Sequence, residues 1–184
     1  MHALVSFHQA IFTPVERAGD RLLPLAARFV FAATLLVYFW NSGLTKLGGG
    51  LSGLFTPSIG AYSQIFPKQL EAAGYDVSQF GAFHTLVVLA GTYAEFLLPL
   101  LIVIGLFTRL AALGMIGFIV VQSLTDIFGH GATDTKTLGA LFDRFPDGVI
   151  LDQRLFWVFL LTYLVVRGAG ALSLDALISR RVED

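Results

Sequence analysis

A single carboxylate interrupts the most apolar stretch of this chain. Residues 83–107 have the sequence FHTLVVLAGTYAEFLLPLLIVIGLF, and Glu95 lies near their middle. A helix of this length crosses the hydrocarbon core of a bilayer, which is roughly 30 Å thick. A carboxylate at that depth costs about 3 kcal/mol or more unless it is paired, protonated or facing a wet cavity. The rest of the chain therefore has to explain Glu95.

The composition indicates an integral membrane protein. Hydrophobic residues make up 55% of the chain and charged residues only 14%, whereas about a quarter of a soluble domain is charged. The apolar runs predict an all-α fold, a bundle of four transmembrane helices at about residues 25–45, 83–107, 110–128 and 154–171. At this length we expect a single domain over residues 1–184.

Several function classes are excluded by what the sequence lacks. The chain has no cysteine, which rules out disulfides, iron–sulfur clusters and covalent haem attachment. It also has no run of basic residues, so we expect no nucleic-acid partner. The expected surroundings are lipid, and any redox role would need a bound cofactor or a partner protein.

Two long connections and one tight turn join the predicted spans. The connection at residues 47–82 contains three consecutive glycines and an aromatic-rich stretch at 55–66, which predicts a short interfacial or re-entrant helix and a candidate lid over the site that Glu95 faces. The polar residues 129–152 form the second connection. Thr108 and Arg109 are predicted to form a short turn that makes an antiparallel hairpin of the second and third spans.

Residues 1–24 precede the first predicted span, and Pro24 is suited to the first turn of that helix. Leu4, Phe7, Ile11, Phe12 and Val15 approximate a helical apolar face. The segment is predicted either to lie on the inner membrane surface or to pack on the bundle as a loose tail.

The distribution of arginines predicts the orientation of the bundle. Four spans place both termini on one side, and seven arginines belong to that side: Arg17, Arg21, Arg28, Arg109, Arg167, Arg180 and Arg181. The positive-inside rule gives most weight to such short or juxtamembrane segments, so both termini are predicted to be cytoplasmic. Arg28, Arg109 and Arg167 are interpreted as anchors on this side, with Arg28 snorkelling to the headgroups. Lys46 is interpreted as an anchor at the opposite interface.

Four further polar residues fall in the outer halves of the predicted spans. They are Asn41, His84, Gln122 and Asp126. Gln122 and Asp126 are four residues apart, and His84 and Glu95 are about three turns apart, so each pair shares a helix face. If these faces turn inward, they form a polar pocket that opens to the outer side and has Glu95 at its deep end.

Such a pocket suits the head group of a quinone. Quinone carbonyls accept hydrogen bonds, and their redox chemistry moves protons. In this hypothesis Glu95 is the catalytic, proton-handling residue, and the ligand-binding residues are His84, Gln122, Asn41 and Asp126.

Two other interpretations of these residues stay open. In the structural one, Glu95 makes a hydrogen bond or ion pair with Lys46 or Arg28 and fixes helix packing, while Gln122 joins helices as amides commonly do. In the metal one, His84, Asp126 and His130 supply imidazole and carboxylate ligands. These residues come from separate elements without a compact motif, so no metal site is expected.

Several short segments, in their order and spacing, resemble the DoxX family. They are Arg28, the segment NSGLTK at 41–46, Glu95, GLFTR at 105–109, Gln122, and RGAGALSLD at 167–175. The resemblance covers about residues 25–181 and implies a small four-helix protein of the bacterial inner membrane. Members are linked to thiosulfate:quinone oxidoreductase activity, to membrane oxidoreductase complexes in oxidative-stress responses, and to operons for metal-stress proteins.

The sequence departs from relatives at two points. Ala169 stands where they often have proline, and Arg154 stands where they often have a histidine three residues before a tryptophan, here Trp157. The loop before Arg154 looks expanded and is a candidate docking surface for an extracytoplasmic partner.

The resemblance and the pocket together imply a quinone-interacting, redox-associated subunit with quinone as a non-covalent cofactor. Other membrane or extracytoplasmic subunits are the expected partners. The alternative is a non-catalytic accessory or assembly subunit of a larger membrane complex, and whether the chain is an enzyme stays open. A transporter is disfavoured because no internal repeat is visible.

Overall fold

The computed structural model describes the backbone of residues 1–183 and the side chains of all of these except Ala3, Val182 and Glu183. Four helices are long and apolar enough to cross a membrane, at Leu4–Lys46, Ala82–Ile104, Thr108–Gly129 and Val149–Arg167. The described part of the chain contains no β-strand. The predicted all-α, four-span architecture is therefore confirmed. We call the end of the bundle that carries both chain ends the terminal side, and the opposite end the loop side.

The first span is longer than predicted. Helix α1 (His2–Phe31) continues through a π-helical turn (Ala32–Leu36) into α2 (Val37–Lys46) without a break. Residues 1–24 are thus mostly a helical extension of the span and not a loose tail. Pro24 lies inside α1 and does not open the span, because helical residues continue on its N-terminal side.

The second and third spans are joined by a tight turn whose position differs from the prediction. Helix α5 (Ala82–Ile104) is followed by α6 (Thr108–Leu124), and a π-helical turn (Thr125–Gly129) prolongs α6. The reversal falls on residues 105–107, where Gly105 (φ 72°) and Phe107 (φ 48°) have left-handed backbones. The predicted hairpin of the second and third spans is confirmed, but its turn does not lie at Thr108 and Arg109, since Thr108 begins α6 and Arg109 lies exposed in its first turn.

The last part of the chain completes the bundle. A π-helical turn (Val149–Gln153) leads into α7 (Arg154–Arg167), and α8 (Leu174–Glu183) follows on the terminal side. Helix α6 contacts both α5 and α7, while α1 contacts α7 and α2 contacts α5. The buried core between these helices contains Phe31, Leu35, Phe39, Ala111, Ala112, Met115, Ile119, Leu161 and Leu164. Small residues such as the two alanines allow close helix approach in lipid.

The first long connection folds over the loop side of α5. It contains α3 (Ile59–Ile65) and α4 (Pro67–Ala72), with short 3-10 turns at Leu51–Leu54 and Val77–Gln79. Tyr62 packs with Leu70 and Val88 in a second buried cluster, and the Tyr62 hydroxyl lies 2.8 Å from the Thr85 hydroxyl. These contacts fix α3 beside the helix that carries Glu95.

Arg28 organises the terminal side. Its guanidinium is buried and donates to the carbonyls of Ile102 (3.1 Å), Val103 (2.6 Å), Ala169 (3.1 Å) and Leu172 (2.6 Å). The prediction that Arg28 snorkels to the headgroups is wrong. The last carbonyls of a helix lack intrahelical donors and carry partial negative charge, so the end of α5 attracts this cation into the protein.

The same cluster brings residues 105–109 and 167–175 together. Asp175 accepts hydrogen bonds from the backbone N–H groups of Phe107 (2.7 Å) and Thr108 (3.0 Å), and so caps the N-terminus of α6 from a distant segment. A Cβ on Gly105 would lie 2.6 Å from the Cβ of Ser173. The two segments are therefore parts of one tertiary contact. Nearby, Arg167 pairs with Asp20 at the surface.

Candidate functional site

A cavity of about 420 Å³ lies between α5 and α6 and extends to α2 and α3. The lining residues are Ser42, Lys46, Gln64, Ile65, Val87, Ala90, Gly91, Ala94, Glu95, Leu98, Gly114, Gly117, Phe118, Val121, Gln122, Thr125, Asp126 and His130. Its walls are mainly apolar. The polar groups gather at two ends, one at the middle of α5 and the other near the loop side.

The deep end of the cavity holds an ion pair. The ammonium group of Lys46 lies 2.9 Å from each carboxylate oxygen of Glu95 and donates to the Ser42 hydroxyl at 2.7 Å. Ser42 in turn donates to the carboxylate at 2.9 Å. Glu95 is 2% exposed and Lys46 is 5% exposed. The carboxylate is thus accounted for by a buried counter-ion, as the structural interpretation with Lys46 proposed.

The position of Lys46 corrects its prediction as an interfacial anchor. A long side chain in the last turn of a helix points back toward the preceding turn, which brings its ammonium group level with Glu95. Ser42 and Lys46 are four residues apart and share a face. Gly43 lets α2 approach α5 closely, because a Cβ there would lie 2.7 Å from the Phe96 ring. The segment NSGLTK therefore builds this end of the site.

The loop-side end is held by a second ion pair. Arg154, which is buried, donates to Asp126 at 2.7 Å and to the Ser123 hydroxyl at 2.9 Å. His130 lies at the same end, with its Nε2 atom 3.1 Å from the Gln64 carbonyl oxygen. Arg154 thus fixes the Asp126 carboxylate beside the cavity.

Gln122 lies on the wall of the same cavity. Its amide nitrogen donates to the Tyr38 hydroxyl at 3.2 Å. Its amide oxygen is buried and has no hydrogen-bond partner within the described part of the chain. A buried amide with an unused acceptor is unusual, and this oxygen could accept a hydrogen bond from a ligand in the cavity.

One side of the cavity opens between α5 and α6. Ala90, Gly114, Gly117 and Val121 line the cavity and are exposed on the outer surface of the bundle. A Cβ on Gly117 would have no atom within 4 Å. Because the surface of these apolar spans faces lipid, the opening leads from the surrounding bilayer toward the Lys46–Glu95 pair.

Two predicted ligand-binding residues do not reach this cavity. Asn41 is exposed and His84 packs among the rings of Phe66, Phe80 and Phe83, with centroid distances of 5.0, 4.9 and 5.7 Å. Asn41 precedes Ser42 by one residue and is therefore rotated about 100° away from its face. His84 shares a face with Glu95 but lies near the start of α5, against the connection. Of the residues predicted to be catalytic or ligand-binding, the site therefore groups Glu95 with Gln122 and Asp126.

Among the described residues, no set of metal ligands supports the metal interpretation. Within residues 1–183, no three His, Cys, Asp or Glu side chains gather in a way that could hold a metal ion. His84 is separated from Asp126 and His130, since only the latter two line the cavity.

Comparison with known proteins gives one family match. The model of the DoxX family matches residues 23–126, which is more than half of the 184-residue chain. The matched range contains both members of the Lys46–Glu95 pair and ends at Asp126. No curated protein and no solved structure matches the chain.

Proposed function

Since the chain belongs to the DoxX family, we propose that it is a quinone-interacting, redox-associated membrane protein whose ligand site is the cavity between α5 and α6. The observation that carries this proposal is the combination of an apolar opening toward the bilayer with a buried Lys46–Glu95 pair at the deep end. A volume of about 420 Å³ falls within the roughly 300–1,000 Å³ typical of small-molecule sites.

The deep end and the side opening of the cavity suit the two parts of such a ligand, its polar head group and its apolar tail. A quinone, when bound, supplies carbonyl oxygens that take up two electrons and two protons on reduction to the quinol. Lys46 can donate a hydrogen bond to an oxygen on which negative charge develops, and Glu95 holds the ammonium group at this end of the cavity. The unused amide oxygen of Gln122 on the cavity wall could accept a hydrogen bond from a quinol hydroxyl. The apolar side opening leaves room for an isoprenoid tail to remain in lipid.

The environment and partners form part of the same proposal. We place the protein in the bacterial inner membrane with both termini cytoplasmic, so the loop-side end of the cavity faces outward. The electrons come from another membrane or extracytoplasmic subunit, because this chain has no cysteine and no metal-binding cluster among its described residues.

A specific observation favours a second candidate, an accessory or assembly subunit. Both oxygens of Glu95 are already satisfied by Lys46 and Ser42, so the pair can act as a structural contact alone. In that case the cavity would be filled by lipid and would not discriminate quinones.

A quinone-binding assay on a variant with a blocked side opening distinguishes a quinone-binding protein from an accessory subunit. The protein is purified in mild detergent, its co-extracted quinone is measured, and a short-chain benzoquinone is titrated against native protein and Gly117→Leu. A leucine at this position fills open space and raises helix propensity by roughly 1 kcal/mol, so folding is preserved. Leu113→Phe, on the exposed side of the same helix and outside the cavity, is the control.

The quinone-site proposal predicts saturable binding to native protein and to the control. It predicts at least about a tenfold loss of affinity in Gly117→Leu, equivalent to about 1.4 kcal/mol. Absence of saturable binding to native protein, or equal binding by Gly117→Leu, contradicts the proposal and leaves the accessory role.

A further inference from the structure

The first part of α1 presents an apolar stripe that nothing in the described protein covers. Leu4, Phe7, Ile11 and Val15 are 75%, 67%, 45% and 60% exposed. With 3.6 residues per turn these four side chains fall on one face of the helix. Polar residues occupy the opposite face: His2, Ser6, Gln9, Thr13, Glu16, Arg17 and Asp20.

This stripe continues directly into the lipid-facing side of the first span. Leu22, Leu25 and Phe29 fall on the same helix face and are also exposed. Ala27 and Phe31, on the other side of the helix, are buried in the bundle. The stripe therefore points away from the bundle and toward the region that lipid occupies around it.

The helix is too long to cross a membrane upright within lipid. The segment Leu4–Lys46 has 43 residues, which correspond to about 65 Å at 1.5 Å per residue, against roughly 40–45 Å for a whole bilayer. Pro14 and Pro24 lie inside α1, and each removes a backbone hydrogen bond and permits a kink. A bend at Pro14 toward the lipid side would lay the stripe on the membrane surface and leave the pair between Asp20 and Arg167 in place.

We propose that the N-terminal part of α1 is a membrane-surface helix, inserted through Leu4, Phe7, Ile11 and Val15 at the interface on the terminal side. Its charged residues balance, with Glu16 and Asp20 against Arg17 and Arg21. Binding is thus driven by apolar burial and not by attraction to anionic headgroups. The inference is independent of the quinone site.

A second copy of the chain fits the stripe poorly. A heptad that begins at Leu4 places Ile11 and Ala18 in its first core position, and Phe7, Pro14 and Arg21 in its other core position. A proline and an arginine in one seam disfavour a parallel coiled coil. The spacing of the exposed residues follows the 3.6-residue period that suits a flat apolar surface.

Site-specific spin labels test the proposal, since the chain has no native cysteine to remove. Single-cysteine variants Ile11→Cys on the stripe and Gln9→Cys on the polar face are labelled with a nitroxide in vesicles of neutral phosphatidylcholine. Phe29→Cys, in the lipid-facing part of the span, is the reference. Accessibility is measured to oxygen, which partitions into lipid, and to a water-soluble nickel chelate.

The proposal predicts that the Ile11 label resembles the Phe29 label, with high oxygen and low chelate accessibility, while the Gln9 label is open to the chelate. Anionic lipid or added salt should leave this contrast unchanged. Chelate access at both positions overturns the proposal, because the helix then stands in water. Shelter at both positions, with spin–spin broadening that disappears on dilution with unlabelled protein, also overturns it in favour of a second copy.

Discussion

Replacing Lys46 by methionine removes the counter-ion of Glu95 while keeping a side chain of similar length. Both charged groups are at least nine-tenths buried, and the ammonium nitrogen lies 2.9 Å from a carboxylate oxygen. At an effective dielectric constant of about 20, two charges at this distance attract by roughly 5–6 kcal/mol. Breaking a buried pair by removing one partner costs about 3–5 kcal/mol, because the other charge stays behind uncompensated. We therefore expect Lys46→Met to lower the free energy of unfolding by about 3–5 kcal/mol.

A double-mutant cycle separates this pairing from lost packing. Glu95→Gln is combined with Lys46→Met, and the double variant should be more stable than the sum of the single losses by at least about 2 kcal/mol. Lys68→Met is the control, since Lys68 is exposed and its replacement should cost under about 0.5 kcal/mol.

The assay is equilibrium unfolding in mixed micelles, followed by fluorescence from the two tryptophans. Trp40 donates to the Phe96 carbonyl beside the pair and should report its loss. A Lys46→Met variant as stable as Lys68→Met, or a strictly additive double variant, refutes the reasoning that Glu95 is held by its buried counter-ion.

Three further predictions concern the terminal side and are checked by thermal unfolding in detergent. Arg28→Met should cost more than about 3 kcal/mol, because several hydrogen bonds from one charged group are lost together. Gly105→Ala should cost about 2 kcal/mol or more, since it forces a side chain into a left-handed backbone and against Ser173; a stable variant contradicts this. Asp175→Ala should cost about 1–2 kcal/mol by uncapping α6, and Asp175→Asn should recover part of that loss.

The four spans could be predicted because apolar runs of sufficient length have few other folds available in lipid. The ends of the helices could not be predicted from the same apolar runs. The first helix continues far N-terminal of Pro24, where polar residues replace the apolar signal. The reversal after α5 depends on left-handed backbones at Gly105 and Phe107, which hydropathy does not detect.

The sequence indicated Glu95, Gln122 and Asp126 because each is a polar residue within an apolar span. Lys46 follows such a span, and its position alone suggests an interface. Ser42 and Lys46 are four residues apart, and Gly43 lies between them. This spacing is the sequence pattern that indicates a shared buried face. Gln64 comes from a connecting segment, so no periodic pattern could assign it.

Arg28 shows a further limit of prediction from sequence. A lone arginine near the end of a span is normally interpreted as a headgroup contact. Here its partners include the backbone carbonyls of Val103 and Leu172, and carbonyls occur at every residue. Only the tertiary structure shows which of them lack donors.

The location of a bound quinone tests the central claim most directly. A photoreactive benzoquinone analogue is activated with the protein in lipid nanodiscs, and labelled peptides are mapped by mass spectrometry. We expect labelling of α5 and α6 at residues 87–98 and 114–126, reduced by excess unlabelled quinone and absent in Gly117→Leu. Labelling spread evenly over the lipid-facing surface, including exposed residues of α7 such as Phe159, and unaffected by competition would contradict it.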